Sequence, residues 1–325
     1  MALSDLAVYS EYAYSTMTEM VAQEVEKFNA ASQGTIILSP GNNQGDYSDV
    51  AKWQKISGLV RRRNAYGSGS VSAKTLVNIV DTMVKVAAGT PPVRIDPSQF
   101  LWIQRSPEEA GVVLGTQLAG DMLADMLNTA ILGAYAAMVQ TTAILYDATG
   151  DTPDEMTPSA LMKAARKLGD RSGEIAAWVT HSVPMHDFWA DNVANATSLF
   201  TYGTVSVNRD PFGRVFVVSD SPSLIQTAPS PDTYVVLGLV PGAVIVEKNN
   251  DFLANEQTVN GDENIQRTWQ AEWSYNLGIK GYAWDKTNGG KSPTDAAIGT
   301  TTNWDKYVTS DKDGPGVILK VDFAA

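Results

Sequence analysis

The sequence predicts an α+β fold, and three observations carry that reading. One continuous apolar helical face follows residue 106. Short strand patterns separated by turn residues fill most of the chain after residue 170. Between them and the N-terminus lies a basic segment, QKISGLVRRRNAYGSGS, whose continuation has no core-forming pattern at all.

In chain order, a short amphipathic helix is expected to open around Thr16. Thr16 and Glu19 fit a capping box, and Met17, Met20, Val21, Val25 and Phe28 recur at helical spacing. It stops before Gly34. SPGNNQGDYSD reads as a loop, and the basic segment follows as an extended or hairpin-like excursion. TPPVRIDPSQFLWI returns to order, with Pro91, Pro92 and Pro97 as punctuation and FLWI as a buried strand or turn.

The clearest helix begins at SPEEAG. Ser106 is the expected N-cap, Pro107 the first helical residue, and Glu108 and Glu109 suit the positive end of the helix dipole. Apolar or small residues recur in pairs from Leu118 and Ala119 to Met138 and Val139. The opposite face carries Gln117, Asp121, Asp125 and Asn128, which argues against a membrane span. A run to about Tyr146 makes roughly 40 residues, about 60 Å at 1.5 Å each. A globule of this length has a diameter near 50 Å by its expected radius of gyration, about 20 Å. The expectation is therefore a flat or elongated subunit whose apolar surface is covered by neighbours.

After the loop YDATGDTPDEMTP, the run SALMKAARKLG reads as a helix closed by Gly169, and EIAAWVTHS as a buried strand. TVSVNRDPFGRVFVVSD is expected to be two strands joined by a turn, and TYVVLGLVPGAVIVEKN a second such pair around Pro241 and Gly242. RTWQAEWSYNLGIKGYAWD is a long aromatic strand pattern. SPTDAAIGTTTNWDKYV is a capped helix with a tail, and GPGVILKVDF a closing strand.

A chain of 325 residues, 44% hydrophobic and 18% charged, is globular in composition and long enough for about two domains. The absence of cysteine excludes disulfides, iron–sulfur clusters and thiolate zinc sites. No secretory pattern opens the chain, and no run of about 20 residues is both strongly apolar and uncharged; a soluble intracellular protein with no membrane contact is expected. Charge falls in blocks. Residues 51–105 hold nine basic residues against two acids, a net of plus seven, while the total is minus 12. After residue 105 acids outnumber bases 27 to 14. Copies of such a chain attract one another through unlike blocks.

Chemistry-bearing constellations are few. The two histidines, in WVTHSVPMHDFW, make His181, His186 and Asp187 a candidate metal or hydrolytic set by residue type, but the spacing misses HExxH and Pro184 separates them. The plain alternative is a strand end followed by a helix start. There is no phosphate-binding loop, no dinucleotide-binding glycine pattern after a strand and no GxSxG elbow, so no cofactor is expected. Asp210 and Asp220 flank a turn, where backbone reasons suffice. The eight tryptophans read as core or interface residues. Arg61, Arg62 and Arg63 beside Trp53 and Tyr66 have three readings: a solvated surface, a nucleic-acid contact by phosphate pairing and stacking, or a contact with an acidic face of another copy. The acidic remainder would repel a polyanion.

Taken in order, these features resemble the major capsid proteins of tailed bacteriophages, with the Hong Kong 97-type fold. The wording AAWVTHS before a helix, GRVFVVSDSPSL, YVVLGLVPGAVIV, RTWQAEWSYNLGIKGYAWD and SPTDAAIGTTTNWDKYV carries the likeness across almost the whole chain. The resemblance implies an N-terminal arm (1–45), an extended loop (46–98), a peripheral domain with the spine helix (99–149), an axial domain (150–255) and a return to the peripheral domain (256–325).

It further implies a non-enzymatic protein that assembles with itself, as pentamers and hexamers, into an icosahedral shell around double-stranded DNA held without sequence specificity. Assembly in the host cytoplasm and residence in the virion capsid follow, with a separate scaffolding protein, a portal and a decoration protein as partners. The separate scaffold is expected because no long charged leader precedes the arm. The loop, with Lys52, Trp53, Lys55, Arg61, Arg62, Arg63 and Tyr66, would lie on a neighbour's spine region, against Glu108, Glu109, Asp121 and Asp125. Some members of the family weld subunits by a lysine–asparagine bond; Lys52, Lys55, Asn64 and Lys74 match by residue type alone, and no crosslink is assigned. Two alternatives remain open at this stage, a cargo-holding compartment shell of the same fold and a metal-dependent hydrolase using His181, His186 and Asp187.

Overall fold

Helix α1 (Leu3–Ala31) places Ala13, Met17, Val21 and Phe28 on one buried stripe and lays it along α2 (Pro107–Val139). The protein is described by a computed structural model covering all but residues 1–2, 57, 96–106, 193–196, 203–204, 210–213, 228–231, 261–265 and 323–325. The expected Ser106 cap, the FLWI run and the turn before Arg214 lie outside the described residues. The first helix starts well before Thr16, so the Thr16–Glu19 pair sits inside it and caps nothing. The two helices touch closely at Gly115, where an added Cβ would stand 2.5 Å from the Ala13 carbonyl oxygen. Only glycine permits that approach.

Helix α2 buries Leu118, Ala119, Met122, Leu123, Met126, Leu127, Ala130 and Ile131, as its paired pattern predicts. Each large side chain so buried stabilises the fold by roughly 1.5–3 kcal/mol relative to exposure. The helix runs unbroken through Gly133 but ends at Val139, not near Tyr146. Thr141 turns the chain instead: its N–H donates to the Met138 carbonyl at 3.0 Å, and its hydroxyl pairs with the Tyr282 hydroxyl at 2.8 Å. With 33 residues the helix is about 50 Å long, still the diameter of an equivalent globule. By length and composition residues 109–139 are apolar enough to cross a membrane, contrary to the sequence expectation; 67% of the most apolar window is buried inside the protein. It is a core helix.

Two sheets receive these helices. The first has nine strands: β1 (Ile36–Gly41), β2 (Tyr47–Trp53), β3 (Asn78–Gly89), β4 (Val93–Ile95), β12 (Val244–Asn249), β13 (Leu253–Val259), β14 (Gln266–Ile279), β15 (Tyr282–Trp284) and β16 (Trp304–Lys306). The 14-residue β14 organises it. Its C-terminal half pairs antiparallel with β12 and β3, and its N-terminal half with β13 and β4. Trp269, Trp273, Tyr275, Leu277 and Ile279 alternate along it onto the buried face with period 2, within the long aromatic strand that the sequence predicts. The short α5 (Asp295–Ile298) is capped by the Thr294 hydroxyl and packs on α2.

The second sheet runs β5 (Leu145–Asp147), β17 (Gly316–Asp322), β11 (Thr233–Leu239), β6 (Ala177–Thr180), β9 (Val215–Ser219), β8 (Val205–Arg209), β7 (Thr197–Tyr202), with β10 (Ile225–Gln226) beside β11. Helices α3 (Pro158–Ala165) and α4 (Ser182–Asn192) accompany it. Strands β8 and β9 pair as predicted. The predicted pair around Pro241 and Gly242 does not form. Strand β11 lies between β6 and β17 in the second sheet, whereas β12 lies between β1 and β14 in the first. Gly242, at φ +68°, makes the step between sheets, and its N–H donates to the Gly34 carbonyl at 2.7 Å. Strand alternation says that two runs are strands; it cannot say that they share a sheet.

Candidate functional site

Strands β2 and β3 form the two arms of a long hairpin, in register from Tyr47 opposite Val84 to Trp53 opposite Asn78. The Gln54 N–H adds one more rung, to the Val77 carbonyl at 2.9 Å. Beyond it the described residues make no regular structure up to Asn78 apart from a turn in which Asn64 Oδ1 accepts from the Tyr66 N–H. This is the excursion the sequence predicts, and the low apolar density of NAYGSGSVSA is its cause.

The base of the hairpin is tied to its own subunit. Lys52 pairs with Asp81, Asp49 with Lys286, and Lys291 with Asp46 at 2.7 Å. Lys55 reaches Asp313 at 3.2 Å, and Gln54 donates to the Thr309 hydroxyl at 3.3 Å. Asp313 also takes Arg171, and these two cations hold its carboxyl below the usual range against the opposing effect of burial. Lys52 and Lys55, predicted for contact with another copy, are thus engaged at home.

The tip is different. Leu59 is 70% exposed, Val60 93% and Tyr66 100%. Arg61, Arg62 and Arg63 are exposed and make no ion pair or hydrogen bond with any described residue. Trp53, at the end of β2, is exposed as well. A surface of exposed aliphatic, aromatic and cationic groups side by side is unlike a solvated charge run, which keeps its apolar atoms covered.

On α2 the four predicted acids separate. Asp121 is exposed, Glu109 is exposed, and the Glu108 side chain is outside the described residues. Asp125 is half-buried and accepts from the Tyr275 hydroxyl at 2.9 Å, which in turn pairs with the Thr129 hydroxyl at 2.9 Å. Burial pushes the Asp125 carboxyl up, a direction the Asp295 carboxylate reinforces, and burial beside Asp125 pushes the Tyr275 phenol up too. Asp121, Asp125 and Asp295 line one cavity of about 600 Å³ with Gly89, Pro91 and Trp273. Asp295 escaped the sequence reading because an Asp opening a helix has a sufficient local explanation in the dipole.

The histidines do not converge. His181, at the end of β6, is buried; its Nδ1 accepts from the Val183 N–H at 3.3 Å and its Nε2 faces Asp220 Oδ1 at 3.5 Å. Burial pushes its pKa down, opposed by Asp220. His186 is exposed one helical turn on, beside Trp189. Asp220 also accepts from the Ser182 N–H at 3.2 Å and so finishes the start of α4. Among the described residues no three His, Asp or Glu side chains are grouped to hold a metal. The strand-end and helix-start reading describes the site.

A core helix laid across a long-stranded sheet, a second sheet to which the chain crosses more than once, and an exposed basic hairpin loop define a viral shell subunit of the Hong Kong 97-type fold. The chain belongs to the Gp13-like family of major capsid proteins, described as major capsid protein 13-like, whose model matches residues 5–318. It is a major capsid protein: it assembles with copies of itself and resides in the virion capsid.

No curated protein matches the sequence. Among solved structures, the capsid asymmetric unit of cyanophage Pam1 superposes with a TM-score of 0.54 at 12% identity, covering 87% of this chain and 86% of that one. The capsid of Ralstonia phage GP4 gives 0.52 at 10%, covering 90% and 88%. The holo-SrpI encapsulin complex of Synechococcus elongatus PCC 7942 gives 0.49 at 10%, covering 88% and 85%. At such identities the first two likenesses speak of fold alone. The family match supports the capsid reading over the compartment-shell alternative.

Proposed function

We propose that the chain builds a closed icosahedral shell of pentamers and hexamers around packaged double-stranded DNA, with no catalytic step, and that the loop of residues 54–77 grips a neighbouring copy. The observation that carries the grip is the exposed tip, where three unpaired arginines sit beside Leu59, Val60 and Tyr66. Such a surface is unfavourable in a lone subunit and satisfied by a partner that is both acidic and apolar.

The cavity holding Asp121 and Asp295 has that character, with Leu118, Pro91 and Pro293 among its walls. It lies toward the Gly89 end of β3, while the loop leaves from the Asn78 end, roughly 25–35 Å away along the strand. That separation favours the loop of a second copy over the subunit's own. The nine-stranded sheet with α2 serves as the peripheral domain and the eight-stranded sheet as the axial one; the chain passes between them along α2, at Pro241 and Gly242, and again before β17. The arm is residues 1–45 and the loop excursion 46–98. Scaffolding, portal and decoration proteins are its partners, DNA is held without sequence specificity, and assembly takes place in the host cytoplasm.

Negative-stain microscopy of the chain expressed with the other virion proteins of its source tests this reading. Closed particles containing DNA are expected. A chain that stays monomeric at high concentration beside those companions refutes it.

A further inference from the structure

A second cavity, of about 480 Å³, opens between α1, β1 and β12. Thr18, Val21 and Val25 of α1 form one wall, and Leu38, Met126 and Val246 close the opposite side. Its lining is mostly aliphatic, and its size falls in the range of about 300–1,000 Å³ common to small-molecule sites.

One cation is set into this apolar wall. Lys248 of β12 is half-buried, and its only hydrogen-bond contact among the described residues is the Met17 sulfur, at 3.9 Å. A lysine that merely covers apolar surface with its stem delivers its amine to water; here the amine ends against a fully buried methionine. The carboxylate that acts on it, Asp251, is already held by Ser274, whose N–H donates to Oδ1 at 3.0 Å and whose hydroxyl donates to Oδ2. Burial pushes the Lys248 ammonium pKa down, the sign of a charge under-compensated by its surroundings.

We infer that this cavity binds a small anionic amphiphile, an aliphatic chain ending in one carboxylate, with the carboxylate on Lys248 Nζ and the chain among Val21, Val25, Leu38 and Met126. The ligand supplies the missing counter-charge and an apolar body at once. Because the walls come from α1, α2, β1 and β12, it also staples the N-terminal helix to the first sheet.

The test titrates the full-length chain with sodium decanoate, kept below its micelle concentration, and with 1-decanol, by calorimetry and thermal melting. Saturable binding of one decanoate per chain with a rise in Tm is expected. Lys248→Met keeps the stem and should weaken decanoate at least about tenfold while leaving decanol unchanged. Val21→Trp fills the cavity and should abolish both. Absence of saturable decanoate binding, equal affinity for Lys248→Met, or decanol binding as tight as decanoate would overturn the inference. So would loss of decanoate binding when the chain assembles, which would assign the cavity to a segment of a neighbouring copy.

Discussion

Reversing the loop charges, with Arg61, Arg62 and Arg63 all changed to Glu, is the perturbation that separates assembly from folding. Within one subunit the three guanidinium groups touch no described partner and sit on a tip with no regular structure, so the variant should melt as the parent does, within about 1 °C. Between subunits each exposed ion pair is worth roughly a 1.5- to 5-fold gain in association. Three pairs lost together weaken one contact by about 3- to 100-fold, and the introduced repulsion against Asp121 and Asp295 adds a loss of similar size. In the proposed grip every subunit both gives and receives the contact, so the loss would be repeated around the shell. The assay is the protein concentration at which particles first appear, measured by light scattering and sedimentation at several salt concentrations. The threshold should rise at least about tenfold at low salt, and added salt should lower it in the variant while raising it in the parent, because screening relieves repulsion in the one and weakens attraction in the other. A second change, Asp121→Arg with Asp295→Arg in the reversed background, should recover part of the loss. An unchanged threshold with normal particles would refute the intersubunit role of the arginines, and recovery failing while the threshold rises would move the acceptor elsewhere.

Two further outcomes follow from the interior. Gly115→Ala puts a methyl 2.5 Å from the Ala13 carbonyl oxygen, a backbone atom that cannot turn aside, so α1 and α2 must part. The expected loss is about 1–2 kcal/mol in denaturant melts, the overpacking penalty less the helix-propensity gain of alanine, while Gly150→Ala, which meets no atom within 4 Å, serves as the neutral control. Equal stability of both variants would count against the close helix contact. His181 is held neutral by burial, with Val183 N–H on one nitrogen, Asp220 facing the other and the Tyr234 ring alongside. Its folded pKa lies below the unfolded one, so the unfolded chain binds the extra proton; stability should fall as pH drops below the ordinary value near 6.5, and level off below the folded pKa. His181→Gln should flatten that slope between about pH 7 and 5, and an identical pH profile in the variant would show that other groups set it.

Much of this molecule was legible in advance because its signals are local. The paired apolar residues of α2, the long aromatic strand holding Trp269, Trp273 and Tyr275, the capped helix in SPTDAAIG and the patternless tip each depend on neighbours in sequence, and each appears where expected. The errors have equally physical origins. The first helix was read too short because the capping-box spacing of Thr16 and Glu19 occurs as readily inside a helix as at its start. Helix α2 was read too long because nothing local to Tyr146 shows that Leu145–Asp147 is claimed by β17 as a parallel partner.

Residue order alone therefore determined the class of fold, the long helix, the acidic body and its basic, unstructured excursion, since periodicity and charge are properties of a chain segment by itself. Tertiary structure alone decided that β11 and β12 part company at Gly242, that Lys52 and Lys55 are taken by Asp81 and Asp313 while the arginines stay unpaired, and that Asp295 joins Asp121 around one cavity. These are contacts between residues far apart in the chain. Their free energies depend on distance and burial in three dimensions, which no pattern along one dimension encodes.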